Sequence, residues 1–150
     1  MPQSLPALYA HIIFSTKNRV PDIDPEWQDR LYAYIGGTLR HHGCVLLAAG
    51  GVADHVHLLV SLSRTVSAAD VVRDIKSNSS RWVHENIANR QTFAWQSGYG
   101  AFSVGHSQLD SVRAYFAKQA EHHRIKTFQE EFREFLAKYE IEYDERYLWD

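Results

Sequence analysis

Cys44-Val45-Leu46-Leu47-Ala48-Ala49-Gly50-Gly51-Val52-Ala53-Asp54-His55-Val56-His57-Leu58-Leu59-Val60-Ser61-Leu62 holds two apolar runs of strand length, Cys44 to Ala49 and His55 to Leu62. Gly50-Gly51 separates them, a pattern that predicts a β-hairpin turning at the glycine pair. Side chains along a strand alternate between faces, so Val56, Leu58 and Val60 form one apolar stripe that should pack on helices. His55 and His57 then project together from the opposite face. Two imidazoles about 7 Å apart along a strand can lean onto one ion. Paired histidines at this spacing are also common by chance, so two structural histidines are the alternative.

Upstream, Ala7 to Ser15 alternates as a strand, and Thr16-Lys17-Asn18-Arg19 follows as a polar, basic loop. Asp24-Pro25 is an N-cap with proline at the first helical position; Trp27, Leu31, Tyr34 and Ile35 recur at helical spacing up to Leu39, and the helix should stop near Gly43. Downstream, Ser67-x-x-Asp70 caps a long amphipathic helix ending near Asn89. Thr92 to Gln96 and Ala101 to Gly105 flank Ser97-Gly98-Tyr99-Gly100 and predict a second hairpin. Ser107-x-x-Asp110 caps a helix through about Glu121, and Thr127-x-x-Glu130 caps another through about Tyr139. No repeat, low-complexity block or linker interrupts the chain, so residues 1–150 are expected to form a single domain. The order begins βαββαβ, which predicts an α+β, ferredoxin-like antiparallel sheet with helices on one face, followed by C-terminal helices. The other face should be free for a ligand or partner.

Composition narrows the class. The chain has 150 residues, 45% of them hydrophobic and 23% charged, which suits one ordinary globular core. Its net charge of −2 argues against a generic polycation that coats nucleic acid. Residues 128–150 carry 8 acids and 3 bases, net −5, leaving 13 bases and 10 acids, net +3, in residues 1–127. A mildly basic body therefore precedes an acidic tail, which still permits selective nucleic-acid binding. The lone cysteine, Cys44, cannot form an internal disulfide, Met1 to Val20 lacks a long apolar segment, and no run is long enough to span a bilayer, so a cytoplasmic, non-membrane protein is expected.

In the helix after Ser107, Tyr115 and Gln119 stand four apart and share a face with His122, while Val112 and Phe116 face the core side. A phenol and an amide oxygen would then meet a ligand together.

These pieces resemble the single-tyrosine HUH transposases of bacterial and archaeal insertion sequences, the IS200-like family, with its repeat-associated relatives. The matching segments are His11-Ile12-Ile13-Phe14-Ser15-Thr16-Lys17, Ala53-Asp54-His55-Val56-His57-Leu58 and Val112-Arg113-Ala114-Tyr115-Phe116-Ala117-Lys118-Gln119. Trp95-Gln96-Ser97-Gly98-Tyr99-Gly100-Ala101-Phe102-Ser103 and Thr127-Phe128-Gln129-Glu130-Glu131-Phe132 are similar to one subgroup. The resemblance implies a metal-dependent transposase that cleaves and rejoins single-stranded DNA at hairpin-bearing ends through a 5′-phosphotyrosine. It makes Tyr115 the nucleophile and His55, His57 and Gln119 the metal ligands. It implies Mg²⁺ or Mn²⁺, single-stranded DNA with imperfect hairpins as partner, and a homodimer in which the tyrosine helix of one subunit can serve the His pair of the other. Two imidazoles alone favour Zn, Ni or Cu, whereas the amide oxygen, phosphate and water favour Mg or Mn. Tyrosine, with a pKa near 10, is only about 0.1% phenolate at neutral pH, a deficit of about 4 kcal/mol that such a site must offset.

Lys17, Arg19, His122 and Arg124 are candidate DNA contacts, and His106 and His123 could assist at a phosphate; Lys17 and Arg19 read equally as a solvated basic loop, and the other four read rather as surface polar residues near a helix end. His11 is expected to be a buried structural histidine near the pair, and Cys44 a packing residue. Trp82, Trp95 and Trp149 could stack on bases but are expected in the core. The competing functional reading is a catalytically retired or domesticated relative that binds hairpin DNA as a regulator. An RNA-binding ferredoxin-like module lacks the expected aromatic pair on its first and third strands. A two-histidine phosphoesterase lacks a pair of His-x-Ser/Thr motifs.

Overall fold

The computed structural model describes residues 2–150. The elements run β1 (Tyr9–Ser15), α1 (Pro25–His41), β2 (Val45–Val52), β3 (His55–Ser61), α2 (Ala68–Asn86), β4 (Gly100–Val104), α3 (Leu109–Ala117), α4 (Gln119–His122) and α5 (Phe128–Lys138). The four strands form one antiparallel sheet in the order β2-β3-β1-β4. The α+β, ferredoxin-like expectation therefore holds.

Alternation builds both layers. Ala10, Ile12 and Phe14 of β1 and Val56, Leu58 and Val60 of β3 bury on one face against Leu31, Ile35 and Leu39 of α1 and Val71, Val72 and Ile75 of α2. Full burial of each such side chain is worth about 1.5–3 kcal/mol. Ser67 caps α2 by accepting the Asp70 amide at 3.1 Å, as the capping motif predicts. The second face is not open. Ile13 and Phe102 pack against Phe128, Phe132 and Leu136 of α5, and Leu59 and Val104 pack against Leu109 and Phe116 of α3. The C-terminal helices thus lie over the face that was expected to be free, and they bury His55 and His57 completely.

Three local expectations are corrected. β2 does not turn at Gly50-Gly51 but runs through to Val52, pairing Gly50 with His57, and the turn falls at Ala53-Asp54. A Cβ on Gly50 would lie 2.6 Å from the Phe116 carbonyl oxygen, so this glycine serves a close approach of α3 rather than a turn. The second hairpin is absent, since Thr92 to Gln96 forms no strand against β4 and Trp95 makes only an isolated bridge to Thr16. Phe93 and Trp95 are apolar because they enter the α1/α2 core. Lys76 Nζ meanwhile donates to the carbonyls of Gln96, Ser97 and Gly98 at 2.6–3.0 Å, using up the acceptors a ladder would need. The helix expected from Ser107 to Glu121 starts with a 3₁₀ turn, Gln108 rather than Ser107 stands at the head of α3, and the helix breaks at Lys118. The Gln108 side chain accepts the Gly105 amide at 3.1 Å, which anchors that turn. Among the described residues no helix is long and apolar enough to cross a membrane.

Replacing Gly50 with alanine should force α3 off β2 and cost about 1–3 kcal/mol, the usual range for overpacking. A lowered thermal midpoint by circular dichroism checks this, and an unchanged midpoint would contradict the tight contact.

Candidate metal centre

The register sets where the histidines stand. His57 lies between Ile13 of β1 and Gly50 of β2, and His55 between Ser15 and Val52. Above Gly50 there is no side chain, so Phe116 settles there and its neighbour Tyr115 reaches the His57 ring, at a centroid distance of 5.8 Å. The break at Lys118 then starts α4 at Gln119, a buried residue whose Oε1 lies 3.0 Å from His55 Nε2. His55, His57, Tyr115 and Gln119 thus meet within one chain.

Each histidine of the pair is held from behind. His55 Nδ1 lies 2.7 Å from the Asp54 carboxylate, and His57 Nδ1 lies 2.7 Å from His11 Nε2. This leaves Nε2 of both rings facing the pocket, the arrangement by which outer partners orient imidazole ligands. His11 is buried, as expected, and its ring stacks on His57 at 4.9 Å.

The residue that joins these groups is Glu131, from the first turns of α5. Its Oε1 lies 3.0 Å from His57 Nε2, 3.1 Å from His123 Nε2 and 3.5 Å from His55 Nε2. Its Oε2 accepts hydrogen bonds from Gln119 Nε2 at 3.1 Å and from the Tyr115 hydroxyl. Among the described residues, His55, His57, His123 and Glu131 form a group of ligand atoms all within 4.8 Å of one another. The sequence reading did not single out Glu131. A signal was present: it interrupts the apolar face of α5 between the buried Phe128, Phe132 and Leu136, and a carboxylate on a buried stripe needs partners. His123, read as a surface residue or phosphate aid, points inward with only 10% of its side chain exposed.

The outer candidates lie around the rim. The His122 ring lies against Tyr115, tilted by 32° at a centroid distance of 4.6 Å, and a groove of about 420 Å³ beside it is lined by Lys118, Glu121, His122, Arg124, Ile125 and Lys126. Lys17 is exposed in the loop after β1, while the Arg19 guanidinium lies 5.8 Å from the Trp149 ring. Trp149 packs on Phe128 and Phe132, and Trp95 and Cys44 are buried, as expected.

Burial and neighbours set the protonation states. Burial alone would raise the Glu131 carboxyl, but hydrogen bonds from His123, His55 and His57 hold it well below the usual carboxylate range. Burial disfavours charge on His55 too, yet its bonds to Asp54 and Glu131 prevail and push it up to about 9. Burial lowers His57 to about 4, and burial followed by the charge of His57 lowers His11 to about 3. Burial and the bond to Glu131 push the Tyr115 phenol well above the usual tyrosine range.

These shifts dictate how the metal-free fold responds to acid. Below the ordinary histidine value of 6.5, the unfolded chain takes up protons that His57 and His11 refuse until about pH 4 and 3, so stability is lost as pH falls through that window. His55 has the opposite sign: its stabilisation is full below 6.5 and is lost as pH rises towards 9. Thermal denaturation of chelator-treated protein should therefore show a maximum near neutrality. A midpoint that rises steadily from about pH 6.5 to about pH 4.5 would contradict the buried neutral His57 and His11.

Comparison with known proteins identifies the family and the fold. The family model described as transposase IS200 like matches residues 4–119. A candidate transposase from Deinococcus radiodurans R1 has the same fold, with a TM-score of 0.63 at 22% identity over 79% of this chain and 98% of that one. A REP-associated tyrosine transposase bound to a REP hairpin also shares it, with a TM-score of 0.60 at 14% identity over 82% of this chain and 72% of that one. No curated protein sequence matches the chain. The family match extends over most of the chain, so the chain belongs to the family of IS200-like transposases.

Proposed function

We propose that the protein is a metal-dependent DNA strand transferase that cuts and rejoins single-stranded DNA at hairpin-bearing ends, with Tyr115 as nucleophile. The observation that carries this reading is the convergence of the Tyr115 hydroxyl, Gln119 and the Nε2 atoms of His55 and His57 on one carboxylate.

His55, His57 and Gln119 would hold the divalent cation, Mg²⁺ or Mn²⁺, and their donor atoms fit one, being two imidazole nitrogens fixed from behind and an amide oxygen turned towards them. Bound there, a divalent cation neutralises the scissile phosphate and favours in-line attack. The chain's own groups do the rest. Tyr115 is a neutral phenol at rest, its hydroxyl donating to ionised Glu131, which holds a proton too weakly to keep it and would relay it to the departing 3′ oxygen as the phenol oxygen attacks phosphorus. The new Tyr115 O–P bond replaces the bond to the 3′ oxygen, which leaves as a free 3′-OH. The phosphodiester energy stays in the phosphotyrosine, so a 3′-OH of another strand can reverse the attack and restore DNA without ATP.

Lys118, His122, Arg124 and Lys126, with Glu121 and Ile125 between them, line the groove next to His122, and its three cationic side chains suit backbone phosphates; Lys17 and Arg19 are separate candidate phosphate contacts in the loop after β1. The related fold bound to a REP hairpin supports a hairpin end as the DNA partner. Tyr115 reaches the histidines of its own chain, so a homodimer would not be needed to complete the site.

With Mn²⁺ or Mg²⁺ and single-stranded DNA bearing an end hairpin, the protein should form a covalent adduct on the 5′ side of the cut, visible as a shifted band under denaturing conditions. Tyr115→Phe should abolish the adduct, and an adduct that persists would overturn the assignment. His57→Ala should lose cleavage by at least about 100-fold while keeping hairpin binding; equal loss of both in a folded protein would make the pair a binding or structural feature.

A further inference from the structure

His123 and Glu131 stand outside the segment that matches the family model, which ends at residue 119, yet they contribute two of the four clustered ligand atoms. We propose that His123 and Glu131 bind the same ion as His55 and His57, forming a three-imidazole, one-carboxylate centre that takes first-row transition ions in preference to Mg²⁺. This inference rests on reading the pocket as a metal centre.

Three observations carry it. The first is geometric. Glu131 Oε1 is 3.0, 3.1 and 3.5 Å from the Nε2 atoms of His57, His123 and His55, and no pair in the group exceeds 4.8 Å. Donors around one ion with bonds of about 2.0–2.2 Å lie about 3.0–3.5 Å apart when adjacent and about 4.4 Å apart when opposite. The set needs little movement to close on an ion.

The second is burial. His55, His57 and Glu131 are 0–1% exposed, so the only charges near the pocket's centre are those the side chains bring, and a single carboxylate among imidazoles suits a cation. The third is chain geometry. The helix break at Lys118 restarts the chain so that Gln119 and His123 both face β3, and the His123 amide is held by the Gln119 carbonyl at 3.0 Å. An unbroken α3 would instead stack residues 115, 119 and 123 along one straight face.

The donor chemistry then sets the preference. Imidazole suits Mn, Fe, Co and Zn increasingly along the series, whereas Mg²⁺ prefers oxygen ligands and keeps its waters. A third imidazole therefore tips a balance that two histidines and an amide oxygen leave even.

Co²⁺, whose visible absorption reports ligand number and type, tests this directly on the full chain. Titration should give one Co²⁺ per chain, with bands that an approximately hundredfold excess of Mg²⁺ fails to remove. Glu131→Gln and His123→Asn should each change the spectrum and weaken Co²⁺ binding by about tenfold or more, and circular dichroism confirms that each is folded. If both folded variants take up Co²⁺ with the native spectrum and affinity, or if Mg²⁺ displaces it, the proposal is overturned while the strand-transfer reading stands. If Co²⁺ binds as described but no DNA adduct forms with any metal, the strand-transfer reading fails and the four-ligand centre remains.

Discussion

A single carboxylate ties the C-terminal half of the molecule to the sheet. Glu131 leaves α5, crosses the layer between helix and strand, and meets His55 and His57 of β3, His123 after α4, Gln119 of α4 and Tyr115 of α3. β3, α3 and α5 also pack through apolar contacts, whereas α4 buries only Gln119, and this oxygen pair touches all of them. Breaking one partner of a buried charged network usually costs about 3–5 kcal/mol, so the pocket and the docking of α5 stand or fall together. The Glu131 interaction is therefore structural and chemical at once: the group that seats the helix also supplies the charge facing the phenol and the imidazoles.

The parts of the fold that follow alternation were legible in the sequence. Val56, Leu58 and Val60 on one side and His55 and His57 on the other are a period-two pattern, and that alternation appears as read, although the histidine face is covered rather than free. The caps at Ser67 and Thr127 follow from local hydrogen-bonding chemistry that needs no tertiary information. The family resemblance brought Tyr115, Gln119 and the His pair into one functional set, and the structure places all four in a single pocket.

What the residues did not reveal was long-range packing. Gly50-Gly51 carries the composition of a turn, yet Gly50 is used because Phe116 lies against it, a contact between segments some sixty-five residues apart in the chain. Phe93 and Trp95 have strand-like side chains that the core takes for itself. The break at Lys118 has no glycine or proline to announce it, and the residues that follow it, Gln119 and His123, turn into the pocket. Glu131 stood in plain view beside a capping glutamate, and only the path of α5 across the sheet separates its role from that of exposed Glu130.

The central claim is that one chain carries a complete site, with Tyr115 serving the His57 and Glu131 beside it. Mixing folded Tyr115→Phe protein with folded His57→Ala protein tests this most directly, since each lacks one essential group and together they hold both. Sites completed within one chain predict that the mixture forms no covalent DNA adduct. Recovery of the adduct on mixing would show that tyrosine and histidines from different subunits meet, and would contradict the account.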